Sequence, residues 1–316
     1  MGYKSNLEKA DRTTEAAEFP ETILIDNCSA CNLKCSICDH KNLSKFRKIE
    51  TMEMALYRKI IDEIAEEQPQ TRVWEVYFGD PCMCRDMDQR IAYAKSAGLT
   101  DVVVNTNGVL LTPKRAEVFI KAGLDAIYVG IDSVKEETYK RIRVGGNYRR
   151  VVDNVLCYRD LLKKIGRGHQ RLFVQFVVNE HNEEELEPFI QLWTGHGVDV
   201  KVRPKVSWAG LVDAPNLYDN SDVARKPCYW LMRTLPICSD GRAALCAIDI
   251  RVPLELGNVR EMTLKGVWNG RLKTLRQLHR EGRFDELPDI CRECRDWQSG
   301  YAEFMKPREN QRIVNA

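Results

Sequence analysis

The chain has 316 residues, of which 44% are hydrophobic and 30% charged, enough for a sizeable core and unlike a disordered protein. Lys and Arg total 48 against 46 acids, a net charge of +2, which argues against a global basic field for nucleic acid. No apolar run approaches the roughly 20 residues that span a bilayer. The opening MGYKSNLEKA has neither a signal-peptide core nor Ser or Thr at position 6 for myristoylation, so the expectation is a cytoplasmic protein with no membrane partner.

Residues 1–20 are polar and charged and read as an N-terminal arm. A β-like run, Thr22–Asp26, feeds directly into a cysteine loop. Val73–Phe78, Asp101–Asn105, Ala126–Ile131, Leu172–Val178 and Val198–Val202 read as further strands, with amphipathic stretches near 52–67, 86–97, 113–122, 149–164 and 183–193 between them. Strand–helix alternation implies a parallel sheet with right-handed crossovers. Six units rather than eight suggest a partial barrel over 21–207, with ligands at the C-terminal strand ends. Residues 208–227, with Gly210 and Pro215, read as a linker, 228–298 as a small cysteine-rich domain and 299–316 as a tail. In the small domain Thr234–Cys238 and Ala243–Ile248 flank Asp240-Gly241 as a hairpin. The basic stretch Arg271–Arg283 lacks interleaved aromatics and reads as a solvated face, not a nucleic-acid site.

The 12 cysteines carry the chemistry. Without a secretory signal, metal ligation is a better reading than disulfides. Cys28/Cys31 with Cys35/Cys38 would make a zinc site, although three residues between the pairs is tight. The alternative takes Cys31, Cys35 and Cys38 as C-x3-C-x2-C. Three thiolates leave one iron of a [4Fe-4S] cluster without a protein ligand, and an open position marks a reactive metal site. The second set is Cys228, twelve residues, Gly241, four residues and Cys246, then Cys291-x2-Cys294. Four thiolates satisfy a closed site, and spacing alone does not separate a zinc ribbon from an iron–sulfur cluster.

The segment CNLKCSIC resembles the signature of the radical S-adenosylmethionine (SAM) superfamily, whose open iron chelates the amino and carboxylate groups of SAM. The resemblance implies an α/β fold, a (β/α)6 partial TIM-like barrel, followed by a twitch domain, the shortened form of the SPASM domain, because no cysteine follows Cys294. It covers residues 22–298. It implies that Cys31, Cys35 and Cys38 hold the SAM-bound cluster. Cys228, Cys246, Cys291 and Cys294 would hold one auxiliary [4Fe-4S] cluster. Gly79-Asp80-Pro81 stands where the family has Gly-Gly-Glu-Pro, so Gly79 and Asp80 are expected at the SAM ammonium. Thr106 would line the SAM site, Ser133 would meet the ribose, Ile37 the adenine, and Arg143, with Arg141 its equal as a donor by sequence alone, the carboxylate.

The resemblance further implies one-electron cleavage of SAM to a 5′-deoxyadenosyl radical, fed by a reductant such as flavodoxin or ferredoxin. The twitch pattern is similar to that of dehydrogenases acting on aminocyclitols and aminoglycoside sugars in antibiotic biosynthesis. There the carbinol carbon loses a hydrogen atom and the auxiliary cluster takes the remaining electron. The expected activity is therefore a radical SAM oxidoreductase on a small polar alcohol. An epimerase is the rival and needs a thiol hydrogen donor; Cys238 is the first candidate, with Cys82 and Cys84 behind it and Cys28 and Cys157 further back. Peptide modification and a non-catalytic two-zinc module complete the alternatives. Arg203 and Trp208, with Lys205, are expected to face substrate. The histidines form no metal-binding pattern, and His40 falls near the adenine position.

Overall fold

A computed structural model describes residues 17–214 and 225–300. Seven parallel strands make the sheet: β1 Thr22–Ile25, β2 Arg72–Trp74, β3 Val102–Thr106, β4 Ala126–Gly130, β5 Arg171–Val178, β6 Asp199–Pro204 and β7 Thr234–Ile237. Their order is β6-β5-β4-β3-β2-β1-β7. Helices α1 Met54–Glu67, α2 Met87–Ser96, α3 Pro113–Ala122, α4 Glu136–Ile142, α5 Tyr148–Ile165 and α6 Leu186–Gly195 cross between the first six strands. After them come α7 Tyr229–Arg233, α8 Leu264–Asn269, α9 Arg271–Arg280 and α10 Asp289–Arg292. This is the expected α/β partial barrel. Among the described residues no helix is long and apolar enough to cross a membrane.

Local chemistry sets the helix ends. At α3, Thr112 caps the N-terminus by accepting from Arg115 N at 3.3 Å, Pro113 opens the first turn, and Gly123 closes it at φ +95°. Asn147 caps α5 in the same way, accepting from Arg150 N at 3.0 Å. Outward residues of the strands, such as Val102, Val104 and Ile127, pack under the helices. Inward residues fill the barrel floor, where Tyr128 stacks on Phe173 at 4.6 Å and the Lys201 ammonium lies 4.7 Å from the Tyr128 ring centre. Two residues further along each strand, the same face carries Asn105, Gly130, Gln175 and Arg203 at the mouth.

Four elements differ from the sequence expectation. The second strand ends at Trp74 rather than Phe78, because Tyr77 and Phe78 leave the ladder to pack with Cys238 and Ala244. Thr234–Ile237 is a seventh strand of the main sheet, parallel to β1 from Thr22↔Thr234 to Ile25↔Ile237. Its edge position tolerates Pro236, which has no N–H to donate. The expected return strand Ala243–Ile248 does not form; a tight turn at Gly241 (φ +91°) ends in the single bridge Ile237↔Ala243. Helix α4 was not anticipated, since only Tyr139 and Ile142 mark its apolar face. The expected arm, linker and tail lie partly outside the described residues.

A buried polar network supports the strand ends from behind. Glu75, fully enclosed, accepts from Tyr57 Oη on α1 and from Asn27 Nδ2, both at 2.6 Å, while Arg90 on α2 donates to Asn27 Oδ1 at 3.0 Å. Burial pushes its carboxyl up to about 7, against the lowering effect of these hydrogen bonds. A carboxyl with a raised folded-state value adds stability below its unfolded value of 4.5, and that stability is lost as pH rises through about 7. Urea midpoints measured from pH 5 to 8 are expected to fall in the parent and to fall less in Glu75→Gln. The group's contribution amounts to about 3 kcal/mol at most. Equal slopes in the two proteins would contradict it.

Candidate active site

Cys31, Cys35 and Cys38 follow β1 in an irregular loop, and their side chains line one cavity of about 190 Å³ at the C-terminal mouth of the barrel. Ile37, Gly79, Asp80, Thr106, Arg143, Arg203 and Trp208 line it as well, so most of the expected residues converge. Burial pushes the Cys31 thiol up to about 11 and the Cys38 thiol to about 12. Metal ligation would reverse this, since a coordinated thiol is deprotonated. Two donors already face the sulfurs: Asn107 Nδ2 lies 3.8 Å from Cys31 Sγ and Arg143 Nη1 3.8 Å from Cys35 Sγ.

The loop after β2 is held against the cysteine loop. Gly79 has φ +109°, and a Cβ there would lie 2.2 Å from Cys28 O and 2.8 Å from Ala30 O. The next residue donates Asp80 N to Ala30 O at 2.8 Å. The Asp80 carboxylate is buried and committed to neighbours: it accepts from Cys82 N at 2.9 Å, Asn107 N at 2.8 Å and Thr106 Oγ1 at 2.9 Å. Burial raises its carboxyl, and these bonds oppose the shift. Thr106 also accepts from Gly108 N at 3.1 Å. Both side chains thus tie the end of β2 to the end of β3.

Arg143 is aimed by Asp132, whose Oδ2 accepts from Nε at 2.6 Å while Oδ1 accepts from Val177 N at 2.7 Å. Asp132 sits at φ +65°, a conformation uncommon for a non-glycine residue, and these bonds hold it there. Gly130 leaves the room, since a Cβ would lie 2.2 Å from Arg143 Nη2. Arg203 reaches Gln175 Oε1 at 3.4 Å, and burial lowers its guanidinium. Trp208 packs on Phe78 with ring centres 5.2 Å apart and donates Nε1–H to Ile37 O at 2.8 Å.

Other expected residues lie elsewhere. Ser133 is fully buried away from the cavity and donates to Lys135 O at 3.2 Å. Arg141 is exposed, and Lys205 pairs with Glu180 at 2.7 Å. Cys238 is enclosed among Tyr77, Phe78 and Ile250, off the cavity wall, with burial raising its thiol to about 12. Cys82 lies behind Asp80, 3.5 Å from Thr106 Oγ1, and Cys84 donates to Asp86 at 3.0 Å. Cys28 is buried in a bridge to Thr51, and Cys157 is a half-buried residue of α5. His40 does reach the cavity wall, its Nε2 2.7 Å from Ser29 O. A larger hollow of about 1020 Å³ between Lys205, Arg251 and Asp296 has Cys294 on its wall but none of the strand-end residues.

The second set also converges. Cys228, Cys246, Cys291 and Cys294 line one small cavity. Burial raises every one of these thiols. Among the described residues no three His, Cys, Asp or Glu side chains are grouped to hold a single metal ion. Buried nitrogens of Arg225 and His279, residues the spacing did not single out, lack partners on the same cavity wall. Tyr77 joins the two sites: its ring lines the first cavity and its hydroxyl lies 2.9 Å from Cys246 O and 2.5 Å from Asp249 O.

Residues 28–192 match the model of the radical SAM superfamily, and residues 228–295 match the SPASM iron–sulfur cluster-binding domain. The chain belongs to the radical SAM superfamily. With that family come a SAM-binding [4Fe-4S] cluster and, in the C-terminal region, auxiliary iron–sulfur binding. GTP 3′,8-cyclase of Alkaliphilus oremlandii is 28% identical over 182 residues, covering 54% of this chain and 52% of that protein. The corresponding protein of Limosilactobacillus fermentum is 30% identical over 175 residues, covering 54% and 50%. The chain thus spans about half the length of these relatives. The fold is shared with BtrN, solved with AdoMet and 2-DOIA, at TM-score 0.61 and 17% identity over 90% of this chain and 96% of BtrN. Streptococcus suis SuiB, solved with its precursor peptide SuiA, gives TM-score 0.67 and 13% identity over 86% and 69%.

Gly79→Ala combines an unfavourable φ with a clash against backbone rather than a flexible side chain. It is expected to destabilise the fold by about 2–4 kcal/mol and to impair iron loading at the first cavity. Chemical denaturation and iron analysis check this; parent-like values in both would show that the close approach is dispensable.

Proposed function

We propose that the chain is a radical SAM dehydrogenase that oxidises a carbinol of a small polar substrate, of the aminocyclitol or aminoglycoside-sugar class, to a ketone. One observation carries the choice of oxidation over epimerisation. Among the described residues, the first cavity exposes no thiol beyond Cys31, Cys35 and Cys38, while four further thiols surround a closed site behind Tyr77. An epimerase needs a free thiol at the substrate, and Cys238 sits in an apolar cluster instead. An auxiliary site with four protein ligands has no open position for substrate and suits an electron acceptor.

In this reading Cys31, Cys35 and Cys38 hold the first cluster, and Cys228, Cys246, Cys291 and Cys294 hold the auxiliary one. The bound cofactors supply reductive cleavage of SAM to a 5′-deoxyadenosyl radical, which removes a hydrogen atom from substrate, and a one-electron sink. The chain's own residues bind and aim the reactants. Asn107 and Arg143 donate towards Cys31 and Cys35. Ile37 offers an apolar wall for adenine. Asp80 and Thr106 act as positioning residues that set the loop at Gly79, their polar atoms being engaged with one another and with backbone. Ser133 holds the turn after β4 rather than the ribose. Arg143, already near a cysteine sulfur, fits the SAM carboxylate. Arg203 and Trp208 are left to face substrate, a guanidinium for hydrogen bonds to hydroxyls and an indole for an apolar sugar face. Water removes the carbinol proton, and an external one-electron donor such as flavodoxin or ferredoxin serves the first cluster.

Anaerobic reconstitution is expected to give about eight irons per chain, falling to about four in a Cys31/Cys35/Cys38→Ala variant. One cluster only, with zinc kept by the variant, would remove the electron sink and the dehydrogenase with it. Turnover of an aminocyclitol in deuterium oxide should yield ketone, with no deuterium at the carbinol carbon of the alcohol that is recovered, and Cys238→Ala should leave the rate within about twofold, the ordinary effect of altering an inert buried thiol. Carbon-bound deuterium, lost in Cys238→Ala, would establish the epimerase.

A further inference from the structure

The four-thiol cavity contains two nitrogen donors that the chain itself leaves without acceptors. His279, 1% exposed near the end of α9, has Nδ1 3.3 Å from the Cys228 N–H. A ring nitrogen that accepts carries no proton, so the neutral imidazole bears its proton on Nε2. That Nε2 is buried and has no partner. Arg225 donates Nη1–H to Arg292 O at 2.7 Å and Nη2–H to Cys291 O at 2.5 Å, which fixes its guanidinium beside the Cys291–Cys294 turn. Its Nε is buried and unpartnered as well.

Phe284 fixes both groups, with its ring 5.7 Å from the His279 ring and 4.7 Å from the Arg225 guanidinium carbon. A buried donor without an acceptor costs about 1–3 kcal/mol. Among the side chains lining this cavity, only the cysteine sulfurs can accept besides His279 Nδ1, which is already engaged by the Cys228 N–H. Two such donors beside four thiols therefore fit a group that brings further sulfur acceptors of its own.

We propose that His279 Nε2–H and Arg225 Nε–H donate hydrogen bonds to sulfurs of the auxiliary cluster and raise its reduction potential. The inference rests on the reading that Cys228, Cys246, Cys291 and Cys294 hold that cluster. Hydrogen bonds to the sulfurs, and the guanidinium charge, favour the more negative, reduced form. In the proposed oxidation the substrate radical would lose one electron and become ketone, its hydroxyl proton would pass to water, and the bound cluster would take that electron. Both donor protons stay on nitrogen. His279 and Arg225 are positioning and tuning residues in this scheme, since neither touches substrate.

The Cys31/Cys35/Cys38→Ala background isolates the auxiliary cluster for a redox titration followed by electron paramagnetic resonance. His279→Phe keeps a buried ring and removes the donor. At a poise set to the background protein's midpoint, its reduced-to-oxidised ratio is expected to fall about tenfold, which for one electron is ~59 mV towards lower potential. His279→Gln, which restores an N–H, is expected to recover most of that loss. An unchanged midpoint in His279→Phe with full iron overturns the donor assignment. Absence of iron and sulfide in the background protein overturns the cluster reading instead. Should His279→Phe lose its cluster, background protein labelled with 15N-histidine decides. A weak 15N coupling in the pulsed spectrum of the reduced cluster supports the hydrogen bond, and no coupling overturns it.

Discussion

The close approach of Gly79 to the backbone of the cysteine loop is the contact on which the site depends. Cys28 O and Ala30 O occupy the space a side chain would need, and the Asp80 N–H binds Ala30 O. Once the chain turns there, the Asp80 carboxylate falls between the ends of β2 and β3 and satisfies two backbone N–H groups and the Thr106 hydroxyl. Asn107 is then aimed at Cys31 Sγ. Three loops become one rigid rim, and that rim presents the first three thiols. A carboxylate buried by its own neighbours is a positioning device, and it performs that task here with a side chain one methylene shorter than the family's glutamate.

A second constraint is the junction between the barrel and the C-terminal cysteine region. The seventh strand belongs by sequence to the cysteine-rich segment but by hydrogen bonding to the barrel sheet, next to β1. Cys238 lies just beyond that strand, and the turn at Gly241 returns the chain towards Cys246. Tyr77 reaches across from the end of β2 and meets Cys246 O and Asp249 O. A shift of the auxiliary site would therefore strain the wall of the first cavity. Arg47 reinforces the junction: it pairs with Asp26 in the interior and lies 5.6 Å from the Tyr77 ring centre and 5.4 Å from that of Phe78. Such an ion pair is weak evidence for stability, but removing one partner would leave a buried charge unmatched.

Strand–helix alternation carried most of the fold in the sequence, because each buried strand is a short β-branched run and each crossover helix has one apolar stripe. Cysteine spacing carried both thiol sets, since neighbouring ligands on one loop must converge. What did not show was long-range partnership. Thr234–Ile237 reads equally well as half of a hairpin or as a sheet edge, and only pairing with β1 decides. Ser133 and Asp80 sit at the expected strand ends, yet the direction of their side chains depends on Lys135, Thr106 and Asn107, which pattern alone does not orient. His279 was hidden in a basic helix, because nothing local marks an imidazole that turns inward.

The thiol environments explain why the apo chain and the loaded protein must differ electrically. Burial makes the thiolate form unfavourable for Cys31, Cys35, Cys38 and all four auxiliary cysteines. Iron held by these groups, as proposed, would displace their protons, coupling loading to proton release and weakening it as pH falls. The fixed groups around the two cavities differ in kind. At the first, Arg143 and Arg203 face a wall on which Asp132 balances Arg143, while Arg203 reaches Gln175 Oε1. At the second, Arg225 and a neutral His279 stand against four sulfurs with no carboxylate on the cavity wall. Asp249 and Asp296 lie close enough behind that wall to raise its thiols and oppose added negative charge, so in the proposed reading Arg225 and His279 have that field to offset.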